Sequence, residues 1–293
     1  MHVDEELREH QDIASWGVST CQGCGLENAF RTVVNVLGRN TIVIIPPGCS
    51  ATFSGVGAES CVQIPGYQCN LENAAASAAG IRAGLDMLGR TDVNVLAWAG
   101  DGATIDIGLQ ALSGVMERGD RIIYCCYDNE AYMNTGIQAS GSTPFAGVTT
   151  TTPGGKPTYR KDFMQIVAAH RIPYAATCSI AHVEDMKQKV ERAMTCGGTA
   201  VLYILAPCPT GWAYPSERSI ELGRLAVQTL AWPLYEIVDG VDYRITQKVS
   251  RPRPVSDYLK PQGRFSKMTE EEMNVFQQRV EKDYAALLKR AQA

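Results

Sequence analysis

Two polar side chains stand where two neighbouring predicted strands end. Asp101 directly follows an apolar stretch at residues 93–99, and Asn129 follows a second apolar stretch at residues 121–127. The intervening residues 104–117 have the pattern of a helix. Parallel strands joined by a helical crossover end at the same edge of a sheet, where open α/β proteins bind their ligands. We therefore expect Asp101 and Asn129 to lie close together.

Oxygen atoms from these two residues suit a magnesium ion. Mg²⁺ usually takes one or two protein oxygens together with the phosphates of a substrate. Gly100 and Gly102 flank Asp101 and allow the backbone to approach a ligand closely, and the N-terminus of the next helix attracts anions. A Gly-Asp-Gly motif alone is equally typical of a plain turn before a helix. Together with Asn129, the motif indicates a site for a magnesium diphosphate.

Four cysteines form a second group of residues that could do chemistry. Cys21 and Cys24 have the spacing C-x-x-C, which by itself is typical of half a zinc site, a dithiol redox pair or half an iron–sulfur site. Cys49 and Cys208 each follow an apolar stretch that predicts a strand. In a parallel sheet these two thiols would lie at the same edge as the predicted magnesium site. Four thiolates at one edge suit a [4Fe–4S] cluster or an all-cysteine zinc site.

The other six of the ten cysteines are interpreted as structural. In a reducing compartment disulfides are rare, so each thiol is considered by its place in the predicted fold. Cys125 and Cys126 are adjacent on a predicted strand, so their side chains point to opposite faces and do not share a metal. Buried free cysteines usually behave as small hydrophobic residues. The same interpretation applies to Cys61, Cys69, Cys178 and Cys196.

Length and composition limit the class of protein. A chain of 293 residues with 45% hydrophobic residues can bury one large α/β core. The net charge of −4, with scattered lysines and arginines, argues against nucleic-acid binding. The polar and acidic residues 1–12 argue against a secretory signal, and no apolar run is long enough for a membrane span. We therefore expect a soluble cytoplasmic protein.

Alternating segments predict an α/β fold with a doubly wound, mostly parallel sheet. Helices are expected between the predicted strands, and one α/β domain is expected over residues 1–215. The predicted strands lie at residues 41–45, 93–99, 121–127, 174–178 and 200–205.

Residues 216–293 are predicted to form a C-terminal extension. It contains a possible hairpin at residues 234–245, turning at Asp239-Gly240. An irregular arm begins at residue 251 and has too few apolar residues to fold alone. We expect this arm to wrap a partner and the extension to be a subunit contact.

The longer sequence around Asp101 and Asn129 resembles the β subunit of pyruvate:ferredoxin oxidoreductases, in the 2-oxoacid:ferredoxin oxidoreductase family. These proteins bind thiamine diphosphate. The two longest matches are GDGATIDIGLQALSG at residues 100–114 and YDNEAYMNTG at residues 127–136. The resemblance covers nearly the whole chain, because it resumes at AHRIPY (169–174), APCPTGW (206–212) and QGRF (262–265).

The resemblance implies a thiamine diphosphate-binding fold and gives roles to the residues at this edge. Asp101, Asn129 and the backbone carbonyl of Ala131 would hold Mg²⁺, and Asn134 would face the reactive end of the cofactor as the catalytic candidate. The [4Fe–4S] cluster nearest thiamine diphosphate would be held by Cys21, Cys24, Cys49 and Cys208. The expected cofactor-binding residues are Gly48, Glu72, Asn73, Gly100, Asp101, Gly102, Ala103, Asn129, Ala131, Asn134 and Thr135.

Two of these assignments have structural alternatives. The predicted helix at residues 71–88 is rich in small residues, which suit either the floor of a cofactor site or tight helix–sheet packing. Asn134 and Thr135 could present an amide and a hydroxyl to a bound group, but they also fit a turn.

Residues 130–160 are predicted to form a long polar loop. Structureless loops of this length in compact domains are usually functional or disordered. Lys156 and Arg160 lie in this loop. Contact with an anion or a partner subunit is one interpretation of these two cations, and solvated charge is the favoured one.

The resemblance implies the β subunit of an enzyme that decarboxylates a 2-oxo acid oxidatively, passes electrons to ferredoxin and transfers the acyl group to coenzyme A. Pyruvate is the first choice of substrate. The sequence lacks a ferredoxin-like run of four closely spaced cysteines and a second unit for the aminopyrimidine half of the cofactor. We therefore expect an α subunit that completes the thiamine diphosphate site, and γ and δ subunits, or fusions of them, that carry further clusters.

Other functions stay open at this point. Residues 54–61 replace a Pro- and aromatic-rich loop that relatives carry after the third cysteine, so a branched 2-oxo acid or oxalate is an alternative substrate. A zinc-stabilised, non-catalytic scaffold subunit would use the same four cysteines without needing Asp101 and Asn129. A thiol oxidoreductase would need only Cys21 and Cys24.

Overall fold

The computed structural model describes residues 13–15, 18–55 and 60–292. Within these residues, a single sheet forms the centre of the fold. The strands within these ranges are β1 (Thr41–Ile45), β2 (Gly66–Gln68), β3 (Asn94–Gly100), β4 (Ile123–Asp128), β5 (Tyr174–Ser179), β6 (Ala200–Leu205), β7 (Tyr235–Val238) and β8 (Asp242–Ile245). These eight described strands are ordered β2-β1-β3-β4-β6-β5-β7-β8.

The first six strands pair in parallel, and β7 and β8 add an antiparallel edge next to β5. Gly100 at the end of β3 pairs with Tyr127 near the end of β4, so the loops that follow these strands begin side by side. The prediction of a mostly parallel α/β sheet is confirmed.

Helices cover both faces of this sheet. Within the described ranges they are α1 (Gly25–Leu37), α2 (Cys49–Ser54), α3 (Ala74–Met87), α4 (Leu109–Arg118), α5 (Phe163–Ala168), α6 (Val183–Thr195), α7 (Pro209–Trp212), α8 (Ser219–Gln228), α9 (Ser256–Leu259) and α10 (Glu270–Gln292). Short 3₁₀ turns lie at Ser216–Arg218 and Gly263–Phe265. In the part of the chain that the structure describes, no helix has both the length and the apolar character of a membrane span.

The two faces of the sheet bury two separate apolar cores. On one face, α1 and α6 pack against strand residues that include Leu96 and Trp98. On the other face, α3, α4, α5 and α8 pack against residues that include Val95 and Ala97. Because successive strand side chains point to opposite faces, a strand buried on both sides reads as the continuous apolar run seen in the sequence.

Aromatic packing fixes the position of α1. The ring of Phe30 lies 4.7 Å from that of Phe53 and 5.2 Å from that of Trp98, measured between centroids. The helix ends at Gly38, whose φ of 77° suits a residue without a side chain and whose N–H donates to the Val34 carbonyl. The opposite end of α1, which begins directly after Cys24, is therefore held against the sheet.

The C-terminal extension shares the sheet and one of its cores. The predicted hairpin is confirmed as β7 and β8, which turn at Asp239-Gly240 with φ values of 51° and 72°. The residues of the arm that bury their side chains in the chain's own core are Val255, Tyr258, Leu259 and Phe265. The apolar side chains of these residues face inward, and the expectation that the arm wraps a partner stays a prediction. The boundary after residue 215 and a role of the extension as a subunit contact stay predictions.

Candidate functional site

Asp101 and Asn129 lie side by side at the edge formed by the ends of β3 and β4. One atom of the Asn129 side-chain amide lies 3.0 Å from Asp101 Oδ1 and 2.9 Å from the carbonyl oxygen of Ala131. Asp101 and Asn129 are both buried. The predicted proximity is confirmed, and the Ala131 carbonyl, which the resemblance implies as a third ligand, lies beside them.

The separations among these atoms fit a cation. When the Asn129 amide presents its nitrogen, it donates a hydrogen bond to each neighbouring oxygen. When it presents its oxygen, three oxygen atoms meet without a hydrogen between them, and a cation is what stabilises such a group. Ligand oxygens at about 2.1 Å from an octahedral Mg²⁺ lie roughly 3 Å from their neighbours. The separations in the structure therefore match those of adjacent ligands of one Mg²⁺ ion.

The charge of Asp101 also favours a cation at this position. Asp101 is 1% exposed, and Ser140 Oγ donates a hydrogen bond of 2.5 Å to its Oδ2. Burial, followed by the nearby Asp128 carboxylate, raises the pKa of Asp101 well above its usual value, while the Ser140 hydrogen bond acts in the opposite direction. A metal ion bound at Oδ1 would favour the ionised form.

A π-helical turn, Gly102–Ile107, follows Asp101 where the sequence predicts the start of an ordinary helix. Such turns are rare and are frequent at functional sites. A Cβ atom added at Gly102 would lie 2.3 Å from the ring of Tyr132, so only glycine fits there. Thr104 Oγ1 donates to the Gly100 carbonyl over 2.7 Å and holds the turn against the end of β3. The backbone at Gly102 and Ala103 is therefore placed beside Asp101.

The polar loop that follows Asn129 is ordered by buried hydrogen bonds. Besides the Ser140 contact to Asp101, Ser142 donates to Asp128, and Thr143 Oγ1 donates to the Glu130 carbonyl over 2.6 Å. Lys156 Nζ donates to the carbonyls of Ser140 and Thr143 over 2.9 and 2.8 Å. The interpretation of Lys156 as a solvated charge is wrong, because this buried ammonium group closes the loop over the site.

Two arginines neutralise the acids behind the site. Arg264 NH2 lies 2.5 Å from Glu130 Oε2, and Arg160 NH2 lies 3.3 Å from Glu130 Oε1. Burial, followed by Glu130, raises the pKa of Asp128 to about 6, and Arg160 acts in the opposite direction. The favoured interpretation of Arg160 as solvated charge is therefore also wrong. These ion pairs join side chains that are far apart in the sequence, so no local motif predicts them.

The segment after Cys208 connects the site to the C-terminal arm. Trp212 Nε1 donates to the backbone carbonyl of Asn129 over 2.8 Å. The guanidinium carbon of Arg264 lies 3.9 Å from the centroid of a Trp212 ring. Trp212 therefore links the main chain at Asn129 to Arg264 of the C-terminal arm.

The backbone brings the four candidate cysteines to the same region. Cys24 precedes α1, Cys49 opens α2, and Cys208 follows β6 and caps α7, where its sulfur accepts from Gly211 N over 3.3 Å. Gly25 N donates to the Pro207 carbonyl over 3.2 Å and so joins the segments that carry Cys24 and Cys208. Cys21 is connected to Cys24 by a turn hydrogen bond of 3.1 Å.

Burial and nearby candidate cysteines raise the pKa of both Cys49 and Cys208. Burial, followed by Cys208, Cys24 and Cys21, raises the pKa of Cys49 to about 12. Burial raises the pKa of Cys208 to about 11, with Cys24 and Cys21 acting in the same direction. Among the residues that the structure describes, however, no three His, Cys, Asp or Glu side chains are closed around a metal position. The four sulfurs therefore lie in one region but are not arranged as a closed metal-binding site.

Three further residues predicted to bind the cofactor, Gly48, Glu72 and Asn73, lie next to α2 and α3. Gly48, with a φ of 146°, lies against Tyr127, whose hydroxyl is 3.1 Å from the position of an added Cβ atom. Glu72 and Asn73 directly precede α3. The Glu72 carbonyl is 3.2 Å from where a Cβ atom of Gly108 would lie, so the start of α3 adjoins the π-helical turn.

Asn134 and Thr135 lie in an exposed turn. The Thr135 hydroxyl donates to Gln138 Oε1 over 2.6 Å, so in this structure it stabilises the turn itself. The ligand-binding roles of these two residues stay predictions, as do those of Gly48, Glu72 and Asn73.

The six remaining cysteines pack as expected of structural residues. Cys61, Cys125, Cys126 and Cys178 are buried in the two cores, and Cys69 and Cys196 are half-buried against them. Burial raises the pKa of both Cys125 and Cys126, which keeps these thiols protonated.

Comparison with known proteins identifies the family of this chain. Residues 48–204 match the family model described as thiamine pyrophosphate enzyme, C-terminal TPP binding domain. The pyruvate synthase subunit PorB of Methanothermobacter thermautotrophicus is 48% identical over an alignment of 276 positions that covers 92% of this chain and 96% of that protein. The ketoisovalerate oxidoreductase subunit VorB of Pyrococcus horikoshii is 44% identical, with 100% of this chain and 99% of that protein covered.

A solved structure supports the fold. The 2-oxoglutarate:ferredoxin oxidoreductase of Magnetococcus marinus matches 73% of this chain and 79% of its own chain, with a TM-score of 0.59 and 21% sequence identity. At this identity the match establishes the architecture of the sheet and its helices.

Proposed function

Because this chain belongs to the β-subunit family of 2-oxoacid:ferredoxin oxidoreductases, we propose that it binds thiamine diphosphate with Mg²⁺ and a [4Fe–4S] cluster at one edge of its sheet. The proposed reaction is the coenzyme A-dependent oxidative decarboxylation of pyruvate, with electrons passed to ferredoxin. The observation that supports it most directly is the meeting of Asp101, Asn129 and the Ala131 carbonyl at the separations of magnesium ligands.

The proposed diphosphate site uses this chain's residues as follows. Asp101 Oδ1, the Asn129 amide oxygen and the Ala131 carbonyl hold the metal, and the Gly100-Asp101-Gly102 backbone leaves room for the phosphates. Ser140 fixes the other oxygen of Asp101 and so orients the carboxylate. Thiamine diphosphate, when bound, supplies a nucleophilic carbon and an electron sink for 2-oxo acid decarboxylation. Asn134, exposed near Ala131, is proposed to face the reacting end.

Cys21, Cys24, Cys49 and Cys208 are proposed to hold the cluster. The effect of the neighbouring cysteines on the pKa of Cys49 and Cys208 and the hydrogen bond that joins Gly25 to Pro207 support a common site. Burial raises the pKa of these thiols, whereas bound iron would lower it, because a coordinated thiol is deprotonated. The thiolates would then place an electron acceptor beside the diphosphate site.

Further subunits are part of the proposal. The named relatives are themselves called subunits of pyruvate synthase and ketoisovalerate oxidoreductase. An α subunit would cover the open side of the diphosphate site and supply the contacts to the aminopyrimidine ring. γ and δ subunits, or fusions of them, would carry electrons from this cluster to ferredoxin.

The named relatives act on two different 2-oxo acids. The pyruvate synthase and ketoisovalerate relatives are 48% and 44% identical, so the similarity does not separate pyruvate from a branched 2-oxo acid. Residues 56–59 of the unusual loop lie outside the described residues. We keep pyruvate as the proposed substrate and a branched 2-oxo acid or oxalate as the alternative.

Two measurements on the complex purified without oxygen test this function. Iron, sulfide and zinc analysis should give about four iron and four sulfide per cluster held by this chain, after the clusters of the other subunits are subtracted. A colourless subunit with one zinc would instead support the non-catalytic scaffold. Reduction of a viologen dye with pyruvate, 2-oxoisovalerate and oxalate, each with and without coenzyme A, identifies the substrate. Failure of all three acids would contradict the proposed reaction.

A further inference from the structure

The Asn129 side chain touches both proposed cofactor sites. One atom of its amide lies 3.0 Å from Asp101 Oδ1 and 2.9 Å from the Ala131 carbonyl oxygen. The other atom, as nitrogen, lies 3.9 Å from Cys49 Sγ and donates to it. The side chain is 5% exposed, so few other partners compete for it.

The two sets of hydrogen bonds exclude each other. With its nitrogen toward Asp101 and Ala131, the amide makes two hydrogen bonds and turns its oxygen to the sulfur of Cys49. With its nitrogen toward Cys49, the amide oxygen faces two other oxygens, which is favourable only when a cation lies among them. A half-turn of the amide about its last side-chain bond exchanges the two arrangements.

The surroundings hold the residue in place while the amide turns. Trp212 Nε1 donates to the Asn129 backbone carbonyl, and Cys49 begins α2 directly after Gly48, whose φ of 146° suits a residue without a side chain. Ser50, which follows Cys49, and Tyr127, which lies two positions before Asn129, are joined by a hydrogen bond of 3.1 Å. A half-turn of the amide exchanges its hydrogen bonds without moving these backbone positions.

We propose that Asn129 couples the two sites: Mg²⁺ binding turns its amide oxygen to the metal and thereby directs its N–H to the Cys49 thiolate of the cluster. This inference rests on the proposed function. Hydrogen bonds to cluster sulfurs are among the factors that set the reduction potential, and a donor stabilises the more negative, reduced form. The cluster therefore accepts electrons more readily once the magnesium site is filled, and the subunit without metal holds it at a lower potential.

The direct test detects the nitrogen itself. The complex is labelled with asparagine carrying ¹⁵N in the side chain, its cluster is reduced, and pulsed electron paramagnetic resonance measures the ¹⁵N coupling. Samples contain thiamine diphosphate with either MgCl₂ or EDTA. We expect a ¹⁵N coupling with MgCl₂ that is lost with EDTA. The same coupling in both samples, or none in either, overturns the proposal.

Two Asn-to-Asp variants assign the signal. Asn129→Asp keeps an oxygen for the metal and removes the N–H donor, so the coupling should vanish and the midpoint potential should fall. Asn28→Asp makes the same chemical change beside Cys21 and Cys24, and it should keep the coupling. If Asn129→Asp retains the coupling, another asparagine is responsible and the proposal fails. Should this variant fail to assemble, the wild-type comparison still decides.

Redox titrations complete the experiment and distinguish a failure of the coupling through Asn129 from a failure of the proposed function. In the wild type, EDTA should lower the midpoint potential of this cluster, and the shift should be smaller in Asn129→Asp. An equal shift in both proteins means that metal charge alone acts, which overturns the coupling through Asn129. Absence of any iron–sulfur signal from this chain contradicts the proposed function itself, whereas a normal cluster without the ¹⁵N coupling contradicts only this inference.

Discussion

Asp101 is a buried acid that receives a hydrogen bond from Ser140 on one oxygen and faces Asn129 and Ala131 with the other. At the residue scale, the site depends on keeping this carboxylate ionised where burial favours its neutral form. Metal binding and the Ser140 hydrogen bond both favour ionisation. The effect of each side chain can therefore be predicted from how it changes that balance.

Ser140→Ala should weaken Mg²⁺ binding. A hydrogen bond to a charged group contributes about 1.5–3 kcal/mol, so the affinity should fall by roughly tenfold or more. Its loss also raises the pKa of Asp101 further, so metal binding should require a higher pH. Mg²⁺ titration of the complex with thiamine diphosphate, measured by calorimetry at several pH values, checks both effects. The exposed Ser266→Ala serves as the control, and equal affinities for the two variants would argue against an orienting role for Ser140.

Gly102→Ala should weaken the binding of magnesium thiamine diphosphate by roughly 5- to 150-fold, which corresponds to an overpacking strain of about 1–3 kcal/mol. The reason is steric, because the added methyl group would overlap the Tyr132 ring. Gly80→Ala is the matched control. Gly80 lies in α3 with no atom within 4 Å of an added Cβ, so this change should leave binding intact and stabilise the helix by up to about 1 kcal/mol. Equal cofactor affinities for both variants would contradict the close approach at Gly102.

The positions of Asp101 and Asn129 could be predicted because each follows an apolar strand and parallel strands end together. The roles of Ser140, Lys156 and Arg264 could not, because their partners lie 39, 16 and 134 positions away and no periodic pattern connects them. A serine- and threonine-rich loop gave only a general sign of function. Which hydroxyl reaches the carboxylate depends on how that loop folds.

At the scale of the elements, the C-terminal extension acts on the site through Arg264 in the 3₁₀ turn Gly263–Phe265. This turn places the guanidinium group between Glu130 and Trp212. The hairpin could be predicted from its Asp-Gly turn and short apolar strands. The short helix at Cys49 and the strand β2 could not, because both lie in a segment whose composition resembles a loop.

Arg264→Gln should strongly destabilise the subunit. Removing one partner of a buried ion pair leaves an uncompensated charge and typically costs about 3–5 kcal/mol. Arg253→Gln is the control, because its pair with Asp257 is exposed and such pairs contribute about 0–1 kcal/mol. Urea denaturation of the intact complex, followed by tryptophan fluorescence, compares the two variants. A loss below about 1 kcal/mol for Arg264→Gln would show that the extension does not stabilise this edge.

At the scale of the whole molecule, the sheet explains why distant parts of the chain meet. The ends of β3, β4 and β6 and the loop after β1 carry Asp101, Asn129, Cys208 and Cys49 to one edge, and α1 brings Cys24 to it. A doubly wound sheet could be predicted from the alternation of strands and helices. The joining of the extension to β5 could not be predicted, because antiparallel pairing of a late hairpin depends on which sheet edge is left uncovered.

The central claim is that a magnesium-held thiamine diphosphate and an iron–sulfur cluster share this edge. Anomalous X-ray diffraction from crystals of the complex, with Mn²⁺ replacing Mg²⁺, locates both metals in a single experiment. We predict manganese bound by Asp101, Asn129 and the Ala131 carbonyl, and iron bound by Cys21, Cys24, Cys49 and Cys208 beside it. Zinc at the four cysteines, or manganese bound away from Asp101 and Asn129, would contradict this account.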